Sequence, residues 1–364
     1  MKAAVLYEIG TPLVIEEVQI SNPGPHEILI RTVASGVCHS DLSVVEGKLA
    51  TRLPTILGHE SAGVVEAIGA DVRTIKVGDH VVACLTGFCG HCEDCLTGHM
   101  ALCGDNETSR AKGEPPRLAP GPGRTGRLYQ SCGISGFAEQ MLAHERTCVA
   151  IRKDMPLDRA ALIGCAVTTG VGAVVRTARI EVGSTVAVIG CGGVGLSAIN
   201  GAVIGGASRI IAIDRSPSKR QMALVMGATD FIDASTTDPV EAVLEFTGGG
   251  VNYSFEAIGL KQTVEQAFAM LRRGGTATMV GAPPQGTKVE IDTMTLLYER
   301  RLQGSMLGSN RFPIDTPRYV ELYLQGRLKL DDLISRRIAL EDINTAFDEM
   351  KTGQIARSVI QFST

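Results

Sequence analysis

The sequence predicts an α/β protein of two domains, in which a β-rich domain flanks a doubly wound domain built on a parallel sheet. The length of 364 residues is enough for two domains of ordinary size. Short β-branched runs separated by Gly and Pro fill residues 1–80, which is typical of a β-rich domain. Between residues 185 and 280 strand-like runs alternate with helix-like runs, and this alternation indicates parallel βαβ units.

The change of pattern sets the expected domain boundaries. We predict a β-rich domain from residues 1–167 and 308–364, and a doubly wound domain from residues 168–307. Residues 111–127 are rich in Pro, Gly and Arg, and we predict neither helix nor strand there. In the second domain we expect helices from Val194, Ser218, Pro239 and Thr263, and the strands Thr185–Ile189, Arg209–Ile213, Asp230–Ile232, Tyr253–Glu256 and Ala277–Val280.

Composition and charge exclude several classes of protein. Hydrophobic residues make up 44% of the chain and charged residues 20%, as in soluble globular proteins. A formal net charge of -4 gives no basic surface, so we expect neither a nucleic-acid nor a membrane partner. The N-terminus lacks an apolar signal core, and the uncharged run Ser184–Ser208 resembles a buried strand and helix more than a membrane span. We therefore expect a cytoplasmic protein.

The cysteines indicate metal binding rather than disulfides, since the chain carries ten of them and no export signal. Four of the cysteines lie on one short loop, and four thiolates can close a tetrahedral zinc site. A full thiolate shell leaves no open coordination position. This zinc is therefore predicted to be structural, with His91 and His99 of the same loop as rival ligands. The four cysteines of the loop are Cys89, Cys92, Cys95 and Cys103.

A second metal-ligand set is spread along the chain and comprises Cys38, His59 and Cys165. A catalytic zinc needs about three protein ligands and one open position, and this set supplies two sulfurs and an imidazole. Spacing alone does not join these residues, because each of them taken singly is more often a core residue.

A glycine-rich turn, GCGGVG, follows the first predicted strand of the second domain and opens a helix. Glycines at such a turn permit close approach of the backbone to a pyrophosphate, and the helix N-terminus offers free N–H groups to the phosphates. The next strand ends at Asp214, where an acid binds the adenosine ribose; a solvated loop carboxylate is the alternative interpretation. The turn predicts dinucleotide binding through Gly190, Gly192, Gly193, Val194 and Gly195.

These motifs together resemble the zinc-containing medium-chain alcohol dehydrogenase family over essentially the whole chain. GVCHSD, LGHESAG, the four-cysteine loop, IGCAVTTG, VIGCGGVG, GGVNYSFEAIG and VGAPP occur in the order of that family. The resemblance is greatest to the longer members, such as liver-type and aryl or benzyl alcohol dehydrogenases. It implies a GroES-like β-rich domain, a Rossmann cofactor domain, NAD, and two zinc ions, one structural and one catalytic on Cys38, His59 and Cys165.

The resemblance also implies roles for single residues. Asp41 is expected to accept a hydrogen bond from His59, and Glu60 to approach the zinc. Ser40 is expected to relay the proton of the alcohol, although a serine here could also cap a helix. Many relatives carry a histidine where Ser43 stands, so either Ser43 with water or solvent directly ends the relay. The implied cofactor contacts are His39 and Arg357 at the pyrophosphate, Thr169 at the nicotinamide, Arg215 and Lys219 near the adenosine ribose, and Val280.

The resemblance further implies the wall of the substrate pocket. Several wall side chains are small where ethanol-preferring relatives carry bulkier groups, so we expect medium-sized primary alcohols, either benzylic, allylic or aliphatic, and the corresponding aldehydes. Each further methylene that the pocket buries adds about 0.8 kcal/mol of binding. The implied wall residues are Leu49, Leu85, Thr108, Ser131, Cys132, Ala282, Met306 and Leu307.

Two positions argue against glutathione adducts as substrates. The glutathione-dependent formaldehyde dehydrogenases carry an arginine where this chain has Glu107, and an acid where it has Leu49. A dehydrogenase for an adduct of another low-molecular-weight thiol is the alternative, and a non-enzymatic NAD-binding protein is a further one. Longer relatives are dimers or tetramers, so we expect a homodimer or homotetramer without a sequence rule to choose between them.

Overall fold

The computed structural model describes residues 1–105, 107–351, 353 and 356–363. The chain forms two compact units. The first comprises Met1–Cys165, Arg311–Leu324 and Ile334–Thr364, and the second comprises Ala166–Asn310 and Gln325–Leu333. Each unit has its own sheet structure and its own buried apolar cluster.

The strands are numbered along the chain. Within the described residues they are β1 Lys2–Leu6, β2 Val14–Ile20, β3 Glu27–Gly36, β4 Thr55–Ile56, β5 Glu60–Ile68, β6 His80–Ala83, β7 Leu118–Pro120, β8 Tyr129–Gln130, β9 Gln140–His144, β10 Cys148–Ile151, β11 Thr185–Ile189, β12 Arg209–Asp214, β13 Asp230–Asp233, β14 Val251–Glu256, β15 Leu271–Met279, β16 Arg301–Gly304, β17 Arg336–Ile338 and β18 Ser358–Gln361.

The α-helices are numbered in the same way. Short 3₁₀ and π-helical turns join or extend several of them. Within the described residues they are α1 His39–Val45, α2 Glu93–Leu96, α3 Leu157–Leu162, α4 Thr168–Gly172, α5 Gly193–Ile204, α6 Arg220–Met226, α7 Pro239–Thr247, α8 Lys261–Ala269, α9 Thr293–Leu296, α10 Phe312–Leu324 and α11 Ile343–Lys351.

The first unit contains two mainly antiparallel sheets. One has the order β7-β2-β1-β4-β8, and the other has the order β10-β6-β5-β3-β18-β17 with β9 paired to β3. Side chains alternate between the two faces of a strand, so β3 buries Ile28, Ile30 and Ala34 on one face. The register of β3 with β5 sets Gly36 opposite Glu60, which brings the end of β3 beside the start of β5.

One prediction for this unit is wrong: residues 111–127 are not wholly irregular, because they contain β7. Leu118–Pro120 pairs antiparallel with Val18–Ile20 at the edge of the five-stranded sheet. Proline is tolerated at a sheet edge, where its missing N–H removes no ladder hydrogen bond. Backbone pairing with β2 therefore outweighs the unfavourable local composition.

The second unit is a doubly wound domain on a six-stranded sheet. All its strand pairs are parallel, in the order β13-β12-β11-β14-β15-β16. Its β-branched strands bury Ile189, Ile211 and Ile213 against the flanking helices. The carboxyl ends of β11, β12 and β14 meet at one edge of the sheet, as expected for parallel strands that hold a ligand there.

The local signals of this domain locate several of its elements, but β15 begins at Leu271, six residues before the predicted start at Ala277, and ends at Met279. β11 has the predicted bounds, and α7 begins at Pro239 as predicted. The Asp238 carboxylate caps α7 by accepting hydrogen bonds from the backbone N–H groups of Val240 and Glu241, at 2.8 and 3.0 Å. The uncharged run Ser184–Ser208 is indeed a buried strand followed by a largely buried helix.

One other segment of the described residues resembles a membrane span in length and hydropathy. Leu157–Ala178 is long and apolar enough to span a membrane, but 83% of its most apolar window is buried inside the protein. Burial of this kind is what the core helix of a globular protein shows.

Candidate active site

Three segments of the first unit bring together the metal-ligand set that is spread along the chain. Cys38 immediately precedes α1, His59 immediately precedes β5, and Cys165 lies in the π-helical turn after α3. One ligand atom from each of these residues and from Glu60 lies within 4.8 Å of the others, and all four residues are buried. The fold therefore joins residues that the sequence leaves far apart.

The imidazole of His59 is oriented by Asp41. Nδ1 of His59 donates a hydrogen bond to Oδ1 of Asp41 at 3.1 Å, which leaves Nε2 with the lone pair that a metal requires. The Asp41 carboxylate also accepts hydrogen bonds from the backbone N–H groups of Cys38, at 3.2 Å, and Gly58, at 3.1 Å. A single buried carboxylate thus holds both segments that carry the first two ligands.

The surroundings of Cys38 favour its thiolate form. A hydrogen bond from Cys165 and the nearby Arg357 guanidinium hold the pKa of Cys38 well below its ordinary value. Arg357 is itself buried and donates hydrogen bonds to Glu60, at 2.9 Å, and to the Val37 carbonyl, at 3.2 Å. Burial raises the pKa of Glu60 to about 8 in spite of the Arg357 charge.

The donor chemistry of this set fits zinc. Two sulfurs and a neutral imidazole are a ligand set that leaves a fourth position open. Among the described residues, the second carboxylate oxygen of Glu60 is buried without a hydrogen-bond partner, so it is free to approach a cation. Cys38, His59 and Cys165 would hold the metal, with Glu60 beside it.

The Ser40 hydroxyl lies within hydrogen-bond distance of two of the ligand atoms. Its hydroxyl donates to Sγ of Cys38 at 3.1 Å and is 3.2 Å from Nε2 of His59. The N-cap of α1 is Cys38, so Ser40 lies inside the first turn and does not cap the helix. Ser43 is half-buried in the same helix, and His39 is exposed.

The four-cysteine loop forms a second compact sulfur cluster. Sγ atoms of Cys89, Cys92, Cys95 and Cys103 all lie within 4.8 Å of one another. Backbone N–H groups of His91 and Cys92 donate to Sγ of Cys89, at 3.5 and 3.3 Å. Of these bonds, the one from His91 does most to lower the pKa of Cys89, to about 6. The cluster offers the closed thiolate shell of a structural zinc.

The two histidines of this loop are placed differently. His99 contacts Thr97 and belongs to none of the metal-ligand groups in the described part of the chain. His91 hydrogen-bonds Glu107 at 2.6 Å, and Arg146 donates to the same carboxylate at 3.1 Å. Glu107 is thereby hydrogen-bonded to both His91 and Arg146 on the surface beside the loop.

In the second unit, the glycine-rich turn has the geometry that a pyrophosphate needs. Gly190 has φ of +95°, which favours glycine, and a Cβ on Gly195 would lie 1.7 Å from the Gly190 carbonyl oxygen. Gly192 is the N-cap of α5, and Gly193 begins the helix, so its first N–H groups are free for phosphates.

Asp214 ends β12 beside this turn. Its carboxylate accepts hydrogen bonds from the backbone N–H groups of Cys191, at 2.7 Å, and Ser216, at 2.9 Å. Arg215 is exposed, whereas Lys219 is buried, and burial lowers the pKa of Lys219. The acid is thus held in place by the turn and is not a free loop carboxylate.

Thr169 and Val280 also lie in the second unit. Thr169 is buried in α4, and its hydroxyl is without a partner among the described residues. Val280 directly follows β15, and its N–H donates to the Glu256 carbonyl oxygen at 2.8 Å.

Sequence reasoning missed Glu256. This fully buried carboxylate ends β14 and accepts three hydrogen bonds of 2.8 Å, from the N–H groups of Ile258 and Gly259 and from the Thr263 hydroxyl. It thereby fixes the loop whose Ile258 packs against Gly190. The sequence did carry a signal for this residue, namely an acid at the end of a predicted strand, in the motif FEAIG.

The implied substrate-wall residues fall on both units. Leu49, Leu85, Thr108, Ser131 and Cys132 belong to the first, whereas Ala282, Met306 and Leu307 belong to the second. Cys132 is exposed and has φ of +53°, and Leu49 is also exposed. The remaining cysteines, Cys84, Cys148 and Cys191, are buried.

Comparison with known families gives two matches that cover both units. Residues 24–153 match the alcohol dehydrogenase GroES-like domain, and residues 193–324 match the zinc-binding dehydrogenases. The GroES-like and Rossmann assignments are thus confirmed, as are the zinc and nicotinamide cofactors.

Individual relatives match the whole chain. A probable S-(hydroxymethyl)glutathione dehydrogenase 1 of Schizosaccharomyces pombe is 37% identical over 100% of this chain and 97% of its own length. The class-3 alcohol dehydrogenase of Dictyostelium discoideum is also 37% identical, over 99% of this chain and 97% of its own. The crystal structure of benzyl alcohol dehydrogenase from Acinetobacter calcoaceticus is 34% identical with a TM-score of 0.93, and covers 100% of this chain and 99% of its own.

Proposed function

The chain belongs to the zinc-dependent medium-chain alcohol dehydrogenases, and we propose that it interconverts medium-sized primary alcohols and their aldehydes with NAD. It is an NAD-dependent zinc alcohol dehydrogenase. The observation that carries the substrate proposal is the set of small side chains Ser131, Cys132 and Ala282 among the wall residues.

The cofactors set what the protein side chains must do. When bound, zinc supplies a Lewis acid that favours the alkoxide, and NAD supplies the hydride acceptor. The side chains must therefore orient the alcohol oxygen, carry away its proton and hold the nicotinamide.

Ser40 is the group placed to take the proton. Its hydroxyl lies within 3.2 Å of two ligand atoms, so an oxygen bound beside them is within hydrogen-bond reach. The hydroxyl can accept the proton of the alcohol while donating its own to the next acceptor. In this chain the next acceptor is Ser43 with water, or solvent directly.

Asp41, Arg357 and Glu60 keep the ligands in position. Asp41 holds His59 in the tautomer with Nε2 free, and Arg357 offsets the negative charge of the Cys38 thiolate and donates a hydrogen bond to Glu60. The Arg357 and His39 side chains are also assigned to the pyrophosphate, with Thr169 at the nicotinamide and Asp214, Arg215 and Lys219 at the adenosine ribose. The glycine turn and Val280 complete the cofactor site.

The wall residues favour alcohols larger than ethanol. Small residues leave room for a benzylic, allylic or medium-chain group, and Met306 is a flexible side chain that adapts to its shape. Each buried methylene adds about 0.8 kcal/mol, part of which lowers the transition-state barrier. The benzyl alcohol dehydrogenase among the structural relatives supports this choice.

A second candidate is oxidation of a thiol–formaldehyde adduct, which the names of two relatives that are 37% identical favour, since both are S-(hydroxymethyl)glutathione dehydrogenases. Two residues argue against glutathione. Glu107 is an anion paired with His91 and Arg146, so it repels rather than binds a glutathione carboxylate. Leu49 is apolar where an acid would be expected. An adduct of another thiol is the form of this candidate that remains.

The test is the value of kcat/KM with NAD for ethanol, hexanol, benzyl alcohol, S-(hydroxymethyl)glutathione and the formaldehyde adducts of other low-molecular-weight thiols. We expect hexanol and benzyl alcohol to exceed ethanol by at least about tenfold, because they bury several further methylenes or a ring. Equal or better turnover of ethanol would exclude a pocket wall that favours larger alcohols. A preference for an adduct of another thiol would establish the second candidate, and a preference for S-(hydroxymethyl)glutathione would contradict the argument from Glu107 and Leu49. Ala282→Phe should shift preference towards ethanol, since a ring at this position fills the space.

A further inference from the structure

Beside the four-cysteine cluster lies a second, exposed set of metal-ligating groups. One ligand atom each from Cys89, His91 and Asp105 lies within 4.8 Å of the other two. His91 and Asp105 are exposed, whereas Cys89 is buried. The two sets therefore share one sulfur and differ in their access to solvent.

The hydrogen bonds of His91 prepare it as a ligand. Nε2 of His91 is 2.6 Å from the Glu107 carboxylate, which favours the tautomer whose Nδ1 carries the lone pair. Arg146 donates to the other Glu107 oxygen at 3.1 Å and also to the Cys89 carbonyl, so Glu107 and the loop are tied together. A histidine oriented by a carboxylate is the usual arrangement around zinc.

A closed thiolate site has a kinetic difficulty. Four sulfurs leave no open coordination position, and two of the four cysteines, Cys89 and Cys95, are buried. A hydrated zinc ion must exchange its waters for protein ligands one at a time. Exposed nitrogen and oxygen ligands next to a shared sulfur can bind the ion while it still keeps some of its waters.

We propose that Cys89, His91 and Asp105 form a loading site through which zinc enters and leaves the four-cysteine cluster. The ion first binds the imidazole nitrogen, the carboxylate oxygen and Sγ of Cys89. Cys92, Cys95 and Cys103 then replace the nitrogen and oxygen while the Cys89 bond is kept, and protons of the thiols pass to solvent. No redox step is involved.

The proposal is tested on the zinc-loaded protein in a Cys38→Ala background, which leaves only the zinc of the four-cysteine cluster. Exchange of this zinc with isotopically labelled zinc is followed by mass spectrometry in the variants His91→Gln and Asp105→Asn. His99→Gln is the matched control, because His99 lies in the same loop but outside the loading site. The affinity for zinc is measured in parallel by competition with a chelator.

We expect zinc exchange to slow at least about fivefold in His91→Gln and in Asp105→Asn, with the affinity for zinc unchanged. A side chain that binds zinc only in the intermediate lowers the barrier to entry and to release equally, so its loss changes the rates and not the equilibrium. His99→Gln should exchange like the parent. Exchange rates equal to those of the control would overturn the proposal. Weaker affinity with faster release would also overturn it, since His91 or Asp105 would then stabilise zinc in the four-cysteine cluster and not in the intermediate of its entry.

Discussion

At the scale of single residues, Ser40 carries the proposed proton transfer. Ser40→Ala removes the hydroxyl that lies over Cys38 and His59, and alcohol oxidation should slow by about 10²-fold or more, as for a lost proton-transfer group. The pH dependence of kcat provides the measurement.

Ser40→Thr is the matched control, because threonine keeps the hydroxyl and should retain much of the activity. An alanine variant with ordinary activity and an unaltered pH profile would show that the proton leaves by another route.

Also at the residue scale, we propose that Asp214 sets the preference between NAD and NADP. Its carboxylate is fixed by the N–H groups of Cys191 and Ser216, so it cannot turn away from a 2′-phosphate. Like charges held together cost several kcal/mol, and we expect NAD to be preferred over NADP.

Asp214→Gly should raise kcat/KM with NADP relative to NAD by at least about tenfold, which initial rates with both cofactors will measure. The neighbouring exposed Arg215 softens this preference. Equal efficiency of the wild type with both cofactors would contradict the role given to Asp214.

At the scale of elements, the two cysteine clusters should respond differently to the loss of one ligand. Cys95→Ala should release the structural zinc and lower the free energy of unfolding by more than about 4 kcal/mol, because metal binding to such a loop is coupled to folding. Cys38→Ala should abolish turnover while the fold is kept.

Metal analysis and thermal unfolding measure both effects. The wild type should carry two zinc ions per chain and each variant one. A fully active wild type with a single zinc would contradict the assignment of two separate sites.

At the scale of the whole molecule, we propose that one edge of the six-stranded sheet pairs with a second copy of this chain. β16 is one of the two edge strands of that sheet in the described residues, and identical edges can pair antiparallel about a two-fold axis. The adjoining segment exposes Met294, Leu297 and Tyr298, which together form an apolar surface. We therefore expect a homodimer, or a homotetramer built from such dimers.

Leu297→Asp should halve the mass measured by light scattering, because a buried charge at an apolar interface is unfavourable. Val182→Asp is the matched control, since Val182 is also exposed but lies outside this surface. An unchanged mass in Leu297→Asp, or a monomeric wild type, would exclude association at this edge.

The sequence by itself determined what depends on local pattern. β11 and the start of α7 have their predicted positions, because a β-branched run and a proline after a capping aspartate are local signals. The four-cysteine loop and the glycine turn were also evident, since all their chemistry lies within a few consecutive residues. β7 was missed because its stability comes from pairing with β2, which local composition does not record.

Only the tertiary structure decided how distant residues combine. The sequence offered Cys38, His59 and Cys165 as unconnected residues that resemblance alone joined; the register of β3 with β5 and the turn after α3 bring them together. The same holds for the Arg357–Glu60 pair, the hydrogen bond from the Gly58 N–H to Asp41, and the difference between His91 and His99. Each depends on contacts between segments far apart in the chain, and such contacts are set by packing and strand register, which no local pattern specifies.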